Sequence, residues 1–216
     1  MIVAVLAGGR GTRMGGEKAM ALFRGEPIVL RPLAAAREAG LEAVVVAKPE
    51  TQLPDVPVWH ETETVSHPLA GLVAALERGP CVAVACDQPY VTPELLRALA
   101  DHDGPAIAAE GEPFPGRYEP SQLPVLRESL RAEASLRRTL ARLAPAVLGA
   151  PRELCASVNT PEALAAAQQA PGGAAAQAGG EAARGGGPVG ATTAAPARGL
   201  SPHAGAGGAA APEGPS

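Results

Sequence analysis

Short runs of valine, isoleucine and alanine alternate along the chain with longer segments in which leucine and alanine recur at helical spacing. The apolar runs predict strands near 2–6, 43–47, 56–59, 81–85, 105–109 and 154–158. The segments between them predict helices near 27–39, 69–78, 92–102, 121–131, 134–144 and 160–169. Strands that are apolar on both faces and alternate with helices are typical of a parallel sheet covered on both sides. The pattern therefore predicts an α/β fold, a Rossmann-like three-layer α/β/α arrangement with a mostly parallel central sheet.

The pattern stops near residue 171, where the composition changes. The last 46 residues are mostly alanine, glycine and proline, and they hold 13 of the 26 glycines of the chain. Such a segment cannot bury enough apolar surface to offset the conformational entropy that it would lose on folding. We therefore expect one domain at residues 1–170 and a disordered tail at 171–216.

Charge and cysteine content narrow the class of protein. The formal net charge is −4, and no basic face is evident, which argues against a nucleic-acid partner. No apolar run approaches the roughly 20 residues that span a membrane, and the start lacks the layout of a signal peptide. The three cysteines (Cys81, Cys86 and Cys155) form no C-x-x-C pair and suit a reducing compartment. We expect a cytoplasmic protein without a membrane partner.

The first predicted strand ends in a loop at residues 7–18 that contains five glycines and three cationic side chains. Glycine allows backbone N–H groups to approach a ligand closely, and arginine and lysine suit phosphate. The spacing fits neither a P-loop, because Glu17 follows Gly16 where a lysine is required, nor the G-x-G-x-x-G dinucleotide fingerprint. The loop is nevertheless typical of a nucleotide-phosphate site.

Asp87 is the strongest single candidate for chemistry. It follows the predicted strand 81–85, and ligands of open α/β sheets bind beyond the carboxyl ends of the strands. Magnesium is usually held by one or two carboxylates together with phosphate oxygens and water. An aspartate at this position could instead cap the next helix, but Thr92, directly before Pro93, already suits that cap. The sequence therefore favours Asp87 as a ligand of Mg²⁺.

Four motifs in order resemble the nucleotidyltransferases of molybdenum cofactor biosynthesis. The first combines Leu6-Ala7-Gly8-Gly9 with Arg13 and Lys18; the others are Cys86-Asp87-x-Pro89, Pro68-Leu69-Ala70-Gly71-Leu72 and Asn159-Thr160-Pro161. Sugar-phosphate nucleotidylyltransferases share a similar opening, but their lysine lies well beyond the arginine. The resemblance implies a glycosyltransferase-A-like sheet of the nucleotide-diphospho-sugar transferase type.

The resemblance also implies an activity: transfer of GMP from Mg-GTP to the terminal phosphate of molybdopterin or Mo-molybdopterin, with release of pyrophosphate. It implies catalytic roles for Arg13, Lys18 and Asp87, of which Asp87 binds Mg²⁺. Further partners would be apo-molybdoenzymes or other proteins of cofactor biosynthesis. The implied contacts with the nucleotide come from Leu6, Ala7, Gly8, Gly9, Lys18, Glu61 and Asp87.

Several residues leave alternatives open. Gly8 favours guanine, since a glycine there leaves room for a purine, whereas Gln88 is common in the related cytidylyltransferases that use CTP. Ala47-Lys48 stands where the family often has asparagine, and Glu61 could replace a family aspartate or lie in a solvated acidic loop. Asn159-Thr160-Pro161 could contact the pterin or could simply begin a helix. The departures at Ala47 and Glu61 also allow a non-catalytic GTP-binding carrier or docking protein.

Overall fold

The computed structural model describes residues 1–8, 18–61 and 67–169. The strands in these ranges are β1 (Ile2–Leu6), β2 (Leu22–Phe23), β3 (Glu26–Pro27), β4 (Glu42–Ala47), β5 (Val58–His60), β6 (Cys81–Ala85), β7 (Ala106–Ile107), β8 (Gly116–Tyr118) and β9 (Ala146–Val147). The helices are α1 (Leu30–Glu38), α2 (Pro68–Leu76), α3 (Pro93–Asp101), α4 (Leu123–Arg131), α5 (Leu136–Leu143) and α6 (Pro161–Gln169). The predicted tail at 171–216 lies outside the described residues.

Seven of the strands in the described residues form one sheet, in the order β5-β4-β1-β6-β8-β7-β9. β1 lies between β4 and β6 and pairs in parallel with both, while β8 runs antiparallel to both β6 and β7. The sheet is therefore mostly parallel, as predicted. The remaining two strands, β2 and β3, form a separate antiparallel hairpin.

Both faces of the sheet are covered, because successive side chains of a strand point to opposite faces. Val3 and Val5 of β1 pack in the cluster that includes apolar residues of α1 and α3. Ala4, between them, packs in a second cluster with residues of α2 and α4. This two-sided burial confirms the three-layer α/β/α prediction and explains why the strands lack polar alternation.

The predicted strand at 154–158 is wrong. Arg152–Cys155 forms a short 3-10 helix, and the polar backbone groups that follow bond to the loop after β6 rather than to a strand. The Cys155 carbonyl accepts a hydrogen bond from Gln88, and the Val158 N–H donates to the Asp87 carbonyl. These long-range contacts decided the local conformation, and no pattern in residues 154–158 encodes them.

A third cluster joins the start of the domain to its end. Phe23 and Ile28, in and after the β2–β3 hairpin, pack against Val158 and Ala167. The hairpin begins just after Lys18, and Val158 is the neighbour of Asn159 in the sequence. The packing therefore brings Lys18 and Asn159, 141 residues apart, to the same place.

No helix in the described ranges is long and apolar enough to cross a membrane.

Candidate active site

The carboxyl ends of β1, β4, β5 and β6 meet at one edge of the sheet. Beyond β1, the Ala7 N–H donates to the Val46 carbonyl at 2.8 Å. The Cys86 N–H donates to the Leu6 carbonyl at 3.0 Å, and the Glu61 N–H donates to the Ala47 carbonyl at 2.9 Å. Gly8, Glu61 and Asp87 are thereby brought to the same edge, where α/β sheets bind ligands. A cleft of about 310 Å³ opens there, lined among others by Leu6, Ala7, Gly8, Lys18, Glu61, His67, Asp87, Phe114, Ser157 and Asn159.

Lys18 connects two walls of this cleft. Its ammonium group forms an ion pair with Oδ2 of Asp87 and donates a hydrogen bond to Oδ1 of Asn159 at 2.5 Å. The Lys18 side chain is 22% exposed and that of Asp87 is 5% exposed, so the pair is shielded but still reached from the cleft. At such a place an ammonium group can bind an anionic ligand, and the carboxylate can bind the metal ion that accompanies that ligand.

A turn after β6 holds Asp87 in this position. The Gln88 N–H donates to the Ala85 carbonyl at 3.1 Å, and the Asp87 carbonyl accepts the 2.8 Å bond from Val158. The cap of α3 is Thr92, whose hydroxyl accepts from the Leu95 N–H at 3.3 Å, as the sequence predicts. The carboxylate of Asp87 is therefore not used as a helix cap.

The donor set at Asp87 fits a divalent cation that arrives with phosphates. No group of three or more histidine, cysteine, aspartate or glutamate side chains in the described residues could hold a metal ion. One carboxylate in a cleft suits a cation whose other ligands are phosphate oxygens and water, which is how magnesium is commonly bound. The site does not suit an ion held by protein alone.

Glu61 lines the cleft and is only 8% exposed, so its interpretation as part of a solvated loop is wrong. Burial raises the pKa of its carboxyl to about 7, with Lys48 opposing and Glu50 adding to the shift. The carboxylate lies directly above Gly8, where a Cβ atom at position 8 would be 2.5 Å from Cδ and 2.8 Å from Oε2. The space beside Gly8 therefore holds the Glu61 carboxylate, and the preference for guanine inferred from Gly8 stays a prediction.

Gln88 ties three segments of the cleft wall together. Its Oε1 accepts from the Ala85 N–H at 3.0 Å, and its Nε2 donates to the carbonyls of Phe114 and Cys155, both at 2.7 Å. The side chain is 2% exposed. Because both amide donors and the amide oxygen are used internally, the Gln88 side chain offers no free hydrogen-bonding group to a nucleotide base.

His67 lies at the start of α2 and also lines the cleft. Its Nδ1 accepts a hydrogen bond from the Leu69 N–H at 3.1 Å and so caps the helix. Gly71, in the predicted nucleotide segment, lines the cleft one helical turn after His67. Ala47, which stands where the family often has asparagine, is fully buried in the core.

Asn159 and Thr160 have separate roles in the structure. Asn159 contacts Lys18 in the cleft, whereas the Thr160 hydroxyl accepts from the Ala163 N–H at 3.1 Å and caps α6. The structure therefore supports the interpretation of the motif as a helix start, and contact of Asn159 with the pterin stays a prediction. Two predicted site residues, Gly9 and Arg13, lie outside the described residues.

Sequence reasoning missed the wall formed by Glu112, Pro113 and Phe114, together with Leu136 and Ser157. The loop at 112–114 lies between β7 and β8, which have two and three residues, too short for a periodic signal. Phe114 and Tyr118 are the aromatic residues of this region, and Tyr118 is buried, with its hydroxyl bonded to the Pro113 carbonyl. An aromatic residue between two prolines was the available clue.

Comparison with known proteins identifies the family of the chain. Residues 3–147 match the family described as MobA-like NTP transferase domain. The chain is 32% identical over 183 residues to a molybdenum cofactor guanylyltransferase of Ectopseudomonas mendocina, covering 76% of this chain and 90% of the relative. It is 31% identical over 180 residues to one of Pseudomonas putida, covering 75% and 94% respectively.

A solved structure shows the same architecture. Molybdopterin-guanine dinucleotide biosynthesis protein A from Archaeoglobus fulgidus superposes with a TM-score of 0.65 at 25% identity, over 78% of this chain and 97% of that protein. The family match covers more than half of the chain, and the relatives match over most of their length. The chain therefore belongs to the MobA-like NTP transferase domain family and is a nucleotidyltransferase.

Proposed function

We propose that the protein transfers GMP from Mg-GTP to the terminal phosphate of molybdopterin, or of Mo-molybdopterin, forming the guanine dinucleotide and releasing pyrophosphate. The observation that carries the proposal is the contact of Lys18 with both Asp87 and Asn159 inside the cleft. The names of the relatives, molybdenum cofactor guanylyltransferases, support the nucleotide and the acceptor. We place the reaction in the cytoplasm, with apo-molybdoenzymes or other cofactor-biosynthesis proteins as recipients of the product.

The residues divide into those that bind and those that neutralise charge. Leu6, Ala7 and Gly8 line the cleft at the end of β1, together with Glu61. Lys18 offers an ammonium group to the phosphates. Asp87 is the carboxylate that would hold Mg²⁺, which supplies charge neutralisation on the phosphates when bound. The roles of Gly9 and Arg13 are proposed from the sequence alone.

The chemistry needs no covalent enzyme intermediate. An oxygen of the acceptor phosphate attacks the α-phosphorus of GTP, a new P–O bond forms, and the bond to the β-phosphate oxygen breaks so that pyrophosphate leaves with its electron pair. The acceptor is already an anion, so the protein has to position the two phosphates and offset their charge. Lys18 performs the second task by moving from Asp87 to the phosphate oxygens as the nucleotide enters.

The test compares pyrophosphate release by wild-type protein and by Asp87→Asn, which keeps the size of the side chain and removes its charge. We expect turnover to fall roughly 10²–10³-fold, the usual cost of losing one electrostatic element of an active site. Asp101→Asn, an exposed position at the end of α3, is the matched control. Turnover of Asp87→Asn within about threefold of wild type would contradict the proposed role of Asp87.

A further inference from the structure

The loop that follows β6 lines two separate cavities. Cys86, Asp87 and Gln88 belong to the active-site cleft, whereas residues 89–93 line a second cavity of about 230 Å³. The other walls of the second cavity come from the β2–β3 hairpin and from α1. None of the described residues lines both cavities, so a ligand in the second one would lie outside the active-site cleft.

Two guanidinium groups stand beside one buried aromatic ring in the second cavity. The Cζ atom of Arg24 lies 5.2 Å from the centroid of the Phe23 ring, and that of Arg31 lies 5.8 Å from it. Phe23 is 1% exposed, and Tyr90 packs edge-on against it with ring centroids 5.9 Å apart. Because a guanidinium group is attracted to an aromatic ring, this fixed ring holds both arginine side chains at the cavity.

The charge and hydrogen bonding of the second cavity favour an anion. The described residues that line it carry two positive charges, on Arg24 and Arg31, and one negative charge, on the exposed Glu38. Two cations beside the same ring repel each other, and an anion between them would offset this repulsion. The Nε–H group of Arg31 is buried without a hydrogen-bond partner, which is unfavourable until an acceptor arrives.

The arrangement of the donors favours phosphate over other anions. A guanidinium group is a planar fork that matches the oxygens of a phosphate or a carboxylate. One fork satisfies the two oxygens of a carboxylate, whereas forks from two elements, here the hairpin turn and α1, suit the larger number of oxygens of a phosphate. The cavity is also smaller than the roughly 300–1,000 Å³ that is typical for larger organic ligands.

We propose that the second cavity is an anion site that binds a phosphate group, of inorganic phosphate or of pyrophosphate, through Arg31 and Arg24. The bound group would also contact residues 89–93, the segment that connects Asp87 with α3. The proposal does not depend on which nucleotide the active-site cleft uses.

The test is a titration of the full chain with inorganic phosphate and, separately, with pyrophosphate, followed by nitrogen NMR of the arginine Nε–H groups. Arg31→Lys lacks the Arg31 signal and so identifies it in the wild-type spectrum. We expect this signal, and the backbone N–H signals of Tyr90 and Val91, to shift together and to saturate below about 10 mM anion. Because these signals belong to the second cavity, pyrophosphate in the active-site cleft does not obscure the result.

Variants show which side chains hold the anion. Arg31→Gln removes the charge and the buried donor, and it should weaken phosphate binding roughly 10- to 100-fold. Arg31→Lys keeps the charge without the fork and should lie between wild type and Arg31→Gln. Arg24→Gln changes an exposed position in the hairpin turn, where unfolding is not expected, and should weaken binding about 3- to 10-fold.

Arg131→Gln is the matched control, because it makes the same change of charge at an exposed position at the end of α4, outside the cavity. Its affinity for phosphate should stay within about twofold of wild type, since a single exposed charge acts weakly at a distance. Circular dichroism establishes that all variants are folded.

Two results would overturn the proposal: no shift of the Arg31 signal with either anion at about 10 mM, or equal losses of affinity in Arg31→Gln and Arg131→Gln. Acetate that binds as tightly as phosphate would also overturn it and would point to a carboxylate of a protein partner. Tighter binding of pyrophosphate than of phosphate would support a diphosphate as the ligand, and equal binding would support a single phosphate group. Because no nucleotide or acceptor is added, none of these outcomes bears on the proposed function.

Discussion

Replacing Gln88 by methionine removes the side-chain amide that joins three walls of the cleft while keeping a similar volume. The Ala85 N–H loses its 3.0 Å bond, and the carbonyls of Phe114 and Cys155 lose 2.7 Å bonds. A hydrogen bond contributes about 1 kcal/mol net, and a buried group left without a partner costs about 1–3 kcal/mol. Because the Gln88 side chain is 2% exposed, water cannot easily replace the hydrogen bonds that are lost. We expect the free energy of unfolding to fall by about 3–5 kcal/mol.

Gln122 provides a matched control. It is also buried, its Oε1 accepts one bond from the Glu119 N–H at 3.0 Å, and its Nε2 has no hydrogen-bond partner. Gln122→Met therefore loses one bond and relieves one unsatisfied donor, for a net cost of about 0–1 kcal/mol. Gln122 is not part of the cleft wall, so its replacement should leave turnover unchanged, whereas Gln88→Met should lower it through Asp87 and Asn159.

The assay is thermal and urea unfolding followed by circular dichroism. In a domain of this size, 1 kcal/mol shifts Tm by roughly 2–4 °C, so Gln88→Met should unfold about 6–20 °C below wild type. Gln122→Met should lie within about 4 °C of wild type. Equal shifts for the two variants would refute the argument that Gln88 holds the cleft together.

Three further predictions concern titration, capping and metal affinity. Burial raises the pKa of Glu61 in the folded protein to about 7 from an ordinary 4.5, so the free energy of unfolding should fall as the pH rises between these values. Glu61→Gln should remove this dependence of the free energy of unfolding on pH, measured by urea unfolding at about pH 4.5–7.5. An unchanged dependence on pH would contradict the raised pKa. Thr92→Ala deletes the cap of α3 and should lower the free energy of unfolding, measured in urea, by about 1 kcal/mol. Thr92→Asn keeps a capping side chain and should change it little. Lys18→Met removes the ammonium group that pairs with the Asp87 carboxylate. We expect turnover to fall and Mn²⁺ to bind more tightly to the nucleotide-free protein in EPR titrations. Weaker Mn²⁺ binding would show that Asp87 is not the metal ligand.

The sequence predicts most of the regular structure because its signals are local. The strands β1, β4 and β6 are each bounded within one residue of the predicted limits, since each contains a continuous apolar run of five residues. Thr92 and Thr160 are recognisable as helix caps because each directly precedes a proline. Asp87 and Lys18 are likewise identifiable from the strand ends and loop that carry them.

The features that the sequence does not encode depend on contacts between distant segments. The side-chain bonds of Gln88 reach residues 26 and 67 positions away, and Lys18 meets Asn159 across 141 positions. The position of the Glu61 carboxylate above Gly8 depends on the pairing of β4 with β5. No periodicity or motif in either segment indicates such contacts, so the internal role of Gln88 and the proximity of Glu61 to Gly8 required the structure.

The central claim is that the cleft transfers a guanylyl group and uses Asp87 to do so. The most direct measurement is pyrophosphate release with Mg-GTP and with Mg-CTP in parallel, each with molybdopterin supplied, for wild type and Asp87→Asn. We predict release with GTP, little with CTP, and a loss of roughly 10²–10³-fold in Asp87→Asn. Release with CTP alone would identify a cytidylyltransferase, and tight GTP binding without release of pyrophosphate would identify a carrier; either result would contradict the claim.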